Sequence, residues 1–172
     1  MAATRMGEVV AEVSRRLPTA EDTVAFGREL GRLLRAEDLV LLAGPLGAGK
    51  TTMTRGIAEG LGVSGRVSSP TFVLARVHPA GPTTAERPDP VPLVHVDAYR
   101  LGGDLAQLDD LDLDADLDRS AVVVEWGEGI AERLSADHLV VRLDRLPDDV
   151  RVVDLEPSGC WTDRLPATRL AG

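Results

Sequence analysis

Eight residues, Gly44-Pro-Leu-Gly-Ala-Gly-Lys50-Thr51, constrain this chain more than any other feature. They fit the pattern G-x-x-x-x-G-K-[ST], whose glycines let backbone N–H groups turn inward around phosphates. The lysine of such a loop reaches the β/γ-phosphates and its hydroxyl can ligate Mg²⁺. The pattern carries this meaning only between a strand and a helix, and both flanks comply. DLVLLAG (38–44) is almost entirely apolar, as a strand buried on both faces requires. In TTMTRGIAEGL (51–61), Met53, Ile57 and Leu61 fall on one helical stripe and Gly62 follows as a stop. A helix starting at Thr51 directs its positive end at the same anion. The expected architecture is α/β: a P-loop NTPase-like, compact mixed β-sheet flanked by helices.

Composition narrows the nucleotide. Lys and Arg total 19, and Lys50 is the one lysine among them. Guanine-specific GTPases read their base with an Asn-Lys-x-Asp element, which needs a second lysine, so adenine nucleotides become the default. The single cysteine, Cys160, allows no internal disulfide and no cysteine cluster for a metal. The three histidines lack metal-ligand spacing. No apolar run approaches the roughly 18 residues of a membrane helix, and the first residues lack the apolar core of a secretory signal. The expected location is the cytosol. The net charge of −9 is concentrated: residues 104–118 hold seven aspartates and no basic residue, which leaves −2 for the rest. This is a poor surface for gripping nucleic acid alone.

Along the chain, 18–35 reads as a first helix with a Thr19/Asp22 capping box. Strands are expected within 68–77, 92–101, 121–127, 139–143 and 150–155. Residues 78–92 hold five of the eleven prolines and read as a mobile or extended connector that tolerates trimming. The division is one domain over 1–155 and a loose tail over 156–172.

A Mg²⁺-dependent hydrolase needs carboxylates at strand ends beside the P-loop. Asp97 ends Leu93-Val94-His95-Val96, and Glu125 ends Ala121-Val122-Val123-Val124. Three consecutive valines mark a central strand whose end faces the ligand crevice of α/β proteins. Ser68-Ser69-Pro70-Thr71-Phe72 is open between an ordinary turn and a sensor of the γ-phosphate. Trp126, next to Glu125, points to the opposite face of a regular strand, where core packing is the default, although a strand-end indole could meet a base or a partner. Tyr99 has the same two readings. His95 reads as structural. The Asp112-x-Asp114-x-Asp116 ladder puts Leu117 and Val123 where a calcium loop needs glycine and glutamate, so that reading fails.

Four blocks stand in order: GPLGAGKTT (44–52), SSPTFVL (68–74), HVDAYRL (95–101) and VVVEWGE (122–128). Together with Glu21, Asp22, Thr23 and Gly27, they resemble the bacterial TsaE (YjeE) ATPase family over about residues 18–155. The resemblance implies ATP and Mg²⁺ as cofactors and a role in making threonylcarbamoyladenosine on tRNA. It implies TsaB and TsaD as partners, reset by ATP hydrolysis between turnovers, with tRNA met indirectly through that complex. By motif match, Gly47, Ala48, Gly49, Lys50, Thr51 and Thr52 hold phosphates, and Thr51 and Glu125 ligate Mg²⁺. Asp97 assists hydrolysis, while Thr23, Trp126 and Arg151 lie by the nucleotide. An aromatic residue common after the S-P-T strand is missing from ARVHPA, and residues 156–172 have no counterpart. Two other readings of the P-loop are a small-molecule kinase and a non-hydrolysing nucleotide-binding scaffold. The first needs an Arg-bearing lid that is not evident, and the second has no use for two strand-end carboxylates.

Overall fold

The computed structural model describes residues 13–68, 75–101, 117–126, 129, 133–168 and 170. Its centre is a seven-stranded sheet made of β1 (Val13–Leu17), β2 (Leu39–Ala43), β3 (Ala75–His78), β4 (Leu93–Asp97), β5 (Ala121–Glu125), β6 (His138–Arg145) and β7 (Arg151–Ser158). The spatial order is β1-β7-β6-β2-β5-β4-β3. The four inner strands β6, β2, β5 and β4 run parallel, and the pairs at either margin are antiparallel. Every residue of β2 and β5 is buried, which explains why both are apolar apart from Glu125 at the end of β5.

Alternation along these strands divides the core into two layers. Val40, Leu42, Leu93, Ala121 and Val123 face helices α1 (Ala20–Leu33) and α2 (Lys50–Leu61). Leu39, Leu41, Val94, Val96, Val122 and Val124 face the other way, with Leu117 and Leu134. The capping box is present: Asp22 N–H donates to Thr19 Oγ1 at 3.1 Å and Thr19 N–H to Asp22 Oδ2 at 2.8 Å. The two helices meet backbone to backbone. A methyl placed on Gly31 would lie 2.2 Å from the carbonyl oxygen of Ile57, and one on Gly56 equally close to that of Val24. That intimate contact runs along most of α1 and braces α2, whose N-terminus ends the P-loop.

One expectation is refined and one corrected. The proline-rich segment is extended and largely exposed, but it is anchored: Arg87 reaches back and donates to the carbonyls of Arg32 (2.8 Å) and Leu34 (2.7 Å). These carbonyls end α1 and have no partner within the helix, so Arg87 serves as their cap. Gly81 N–H likewise donates to Gly62 O, just past α2. The segment after residue 155 is not a loose tail. Residues through Ser158 extend β7, and a short helix α3 (Trp161–Arg164) inserts Trp161, with Leu165 and Leu170 beyond it, into the main core. Arg164 lies over the Trp161 ring and holds the buried carboxylate of Asp38 at 2.7 and 2.9 Å. Helical periodicity fails over so short a helix, which is why the sequence showed none. The β1 strand, read as nothing in particular, pairs with β7 from Val13↔Leu155 to Leu17↔Arg151.

Candidate functional site

The loop after β2 turns at Gly44, where φ is +141° and a Cβ would lie 2.2 Å from Leu143 O. It enters α2 through Gly49, which has φ +108°. Neither position accepts a side chain without strain. The helix therefore begins at Lys50 and points its N-terminus into a cavity of about 630 Å³. Gly47, Gly49, Lys50, Thr51, Thr52, Asp97, Glu125, Trp126 and Arg151 line that cavity, with Leu46 and Tyr99 at its exposed rim. Nine of the eleven sequence-derived site residues thus come together.

The other two support it. Ala48 is fully buried, with its N–H donating to Pro45 O at 3.1 Å inside the loop. Thr23 is buried on α1, its methyl 3.7 Å from where a Cβ on Gly49 would sit. Arg151 opens β7, its Nε 3.9 Å from the same point, and its Nη1 donates to Asp149 O at 2.7 Å. Arg145 also leans on the loop: its Nη1 is 3.6 Å from the corresponding point on Gly47. Sequence reasoning missed it, since an arginine on a strand carries no signal of its own.

Lys50 is almost wholly enclosed. Its ammonium donates to Gly44 O at 2.7 Å and Pro45 O at 2.9 Å, and sits 3.6 Å from the centre of the Trp126 ring. Strand alternation would send Trp126 to the far face. Instead it has φ +62°, which breaks the alternation and turns the indole over the P-loop. Tyr99 packs against it with ring centres 5.2 Å apart.

The carboxylates follow from register. Asp97 and Glu125 are direct partners on adjacent parallel strands, and both project to the α2 side with Leu42, the partner of Glu125 on β2. Asp97 Oδ1 accepts Tyr99 N–H at 3.1 Å, which orients the side chain at the cavity wall. Glu125 is buried against α2. Its Oε1 accepts from His95 Nε2 at 2.8 Å and lies 3.2 Å from Thr54 Oγ1. Thr51 Oγ1 stands 3.4 Å from Oε2 and 3.5 Å from Oε1. That is long for an O–H···O bond, which prefers about 2.5–3.0 Å. Neighbouring oxygens around an octahedral Mg²⁺ at about 2.1 Å lie roughly 3 Å apart, so the two side chains need only a small approach to share one ion. The donor set, a hydroxyl and one carboxylate, suits an ion completed by waters and phosphate oxygens. The residues therefore fit magnesium.

His95 and Thr54 are the further members of this cluster. Both are buried polar groups on the apolar faces of their elements, and only the packing of β4, β5 and α2 together reveals their common target. Ser68 accepts a hydrogen bond from Arg76 at 3.2 Å, while 69–72 and Glu128 lie outside the described residues, as does the aspartate ladder. Among the described residues, no helix is long and apolar enough to cross a membrane.

Comparison with known proteins agrees with the resemblance noted above. Residues 17–153 match the family model of threonylcarbamoyl adenosine biosynthesis protein TsaE. The chain is 60% identical over 124 residues to the tRNA threonylcarbamoyladenosine biosynthesis protein TsaE of Streptomyces coelicolor, covering 72% of this chain and 80% of that one. It is 35% identical over 140 residues to the protein of the same name from Bacillus subtilis, covering 81% and 82%. The crystal structure of Bacillus subtilis YdiB is similar with a TM-score of 0.68 and 29% identity, over 90% of each chain.

Proposed function

Since this chain belongs to the TsaE family and hence to the biosynthesis of threonylcarbamoyladenosine on tRNA, we propose that its part there is that of a Mg²⁺-dependent ATPase. In this reading it hydrolyses ATP to reset a TsaB–TsaD transferase pair between turnovers, and meets tRNA through that complex in the cytoplasm. The observation that carries the reading is the convergence of Lys50, Thr51, Asp97 and Glu125 on one cavity at the carboxyl ends of parallel strands.

The P-loop N–H groups and the Lys50 ammonium hold the β/γ-phosphates, aided by the N-terminus of α2. Thr51 and Glu125 would hold a magnesium ion, which when bound would supply positive charge to the phosphate oxygens. Asp97, fixed by its bond from Tyr99 N–H, accepts a hydrogen bond from the attacking water and aligns it. Arg151 adds positive charge beside Gly49, while the neighbouring Arg145 is paired with Asp149. Turnover is slow for the isolated chain, because Lys50 must exchange two carbonyls and an indole face for phosphate oxygens.

The test is ATP turnover by the purified chain with and without TsaB, TsaD and substrate tRNA. Stimulation by the partners is expected, with loss of nucleotide binding in Lys50→Ala. Glu125→Ala should keep binding and lose Mg²⁺-dependent turnover. Turnover indifferent to the partners, with phosphate appearing on a metabolite, would establish a small-molecule kinase instead.

A further inference from the structure

Glu125 is held more firmly than an ordinary strand-end carboxylate. Thr54 offers one proton and has two acceptors, Lys50 O at 3.0 Å and Glu125 Oε1 at 3.2 Å. In a helix such a hydroxyl commonly bonds back to its own i−4 carbonyl. The dedicated donor to Oε1 is therefore His95 Nε2–H at 2.8 Å. His95 is fully buried in β4, between Arg76 of β3 and Val123 of β5. Among the described residues its Nδ1 has no hydrogen-bond partner. A half-satisfied imidazole in an apolar layer is a net cost, and a leucine would fill the space more favourably. Packing does not account for the histidine, whereas its one good bond does.

We propose that His95 is a positioning residue for Glu125: its Nε2–H pins Oε1, so that Oε2, 3.4 Å from the Thr51 hydroxyl, is the oxygen left free for magnesium. The terminal torsion of a glutamate is broad and roughly two-fold, so an unpinned carboxylate samples orientations that take both oxygens off the metal. Partners of this kind commonly change metal affinity about 10–100-fold. The inference rests on the Mg²⁺ reading of Thr51 and Glu125, and the experiment separates the two.

A non-hydrolysable ATP analogue is titrated calorimetrically into wild type, His95→Gln and His95→Asn, first in chelator and then at rising Mg²⁺. The glutamine amide reaches the Nε2 position and the shorter asparagine amide does not. All three proteins should bind the analogue equally in chelator. Wild type and His95→Gln should then show the same Mg²⁺-dependent tightening, while His95→Asn needs roughly 10-fold more Mg²⁺. Equal behaviour of the two amides would overturn the proposal, because a merely structural histidine does not distinguish them. A wild type whose affinity ignores Mg²⁺ would overturn the metal reading and this inference with it. If a variant does not fold, the imidazole ¹⁵N spectrum of wild type decides: a proton on Nε2 is expected, and a proton on Nδ1 instead would overturn the proposal.

Discussion

Gly31→Ala tests whether the P-loop is braced by direct contact between the backbones of α1 and α2. In the native packing the Gly31 Cα faces the carbonyl of Ile57, and the added Cβ would lie 2.2 Å from its oxygen. Carbon–oxygen contacts settle near 3.3 Å, so the helices must separate by about 1 Å. The obstruction is backbone on both sides, and no rotamer change relieves it. Overpacking of this kind costs about 1–3 kcal/mol, against which alanine gains up to about 1 kcal/mol of helix propensity. The net expectation is a loss of about 1–2 kcal/mol, or roughly 2–8 °C in Tm for a chain of this size. Urea denaturation followed by circular dichroism should show a lower midpoint at an unchanged m-value. Because Thr23 of α1 abuts Gly49, nucleotide affinity should fall as well. A variant as stable as wild type, or more so, would show that the helices are not in backbone contact and that the argument from close approach is wrong.

Arg87→Ala should lower stability by about 1–2 kcal/mol, because the charged hydrogen bonds to the Arg32 and Leu34 carbonyls are lost. Chemical denaturation measures it, and a neutral result would restore the reading of 78–92 as a dispensable connector. Burial foremost, then the neighbouring His95 and Arg76, hold the His78 pKa below its ordinary 6.5. The unfolded chain therefore takes up a proton at a higher pH than the native one. The His78 contribution is complete above pH 6.5 and is lost as the pH falls from there through the lowered native value. In His78→Leu the decline of Tm over that interval should be shallower, and an unchanged slope would refute the assignment. Nucleotide binding should alter the emission of Trp126, whose ring contacts Lys50, but not that of fully buried Trp161. A binding signal that survives Trp126→Phe would count against that exchange.

What the sequence disclosed follows the range of each interaction. The strand–loop–helix around Lys50 is local, and glycine spacing, apolar run and helical stripe all agree there. Asp97 and Glu125 were legible because a strand's period of two fixes the face of its last residue once the strand is identified. The bond from His95 to Glu125 was not, because it depends on how β4 registers against β5 across 23 intervening residues in chain order. Trp126 broke the alternation with one positive φ, a local exception that its sequence neighbours do not announce. The four glycines of α1 and α2 read as weak helix formers, since their value is apparent only once the opposing backbone is in place. Trp161 and β1 were missed for a similar reason: the surfaces they cover are assembled from distant parts of the chain.

The lone lysine of an arginine-rich chain now has a reason in atomic detail. An ammonium is a compact point charge with three donors. At Lys50 it is met within a few ångströms by two successive carbonyls of its own loop and by the face of an indole. A planar guanidinium is too broad to be wrapped by neighbouring carbonyls in this way, so arginine could not occupy the position as lysine does. Enclosure also makes this charge transferable. Hydrogen bonds to a charged group are worth about 1.5–3 kcal/mol and a desolvated cation–π contact about 2 kcal/mol, comparable to what phosphate oxygens offer in return. Nucleotide binding at such a loop is therefore an exchange between two nearly balanced sets of partners. Whatever shifts Trp126, a partner from outside the loop and one held at a positive φ, shifts that balance. Under the proposed function, a partner that moves Trp126 would therefore govern nucleotide binding.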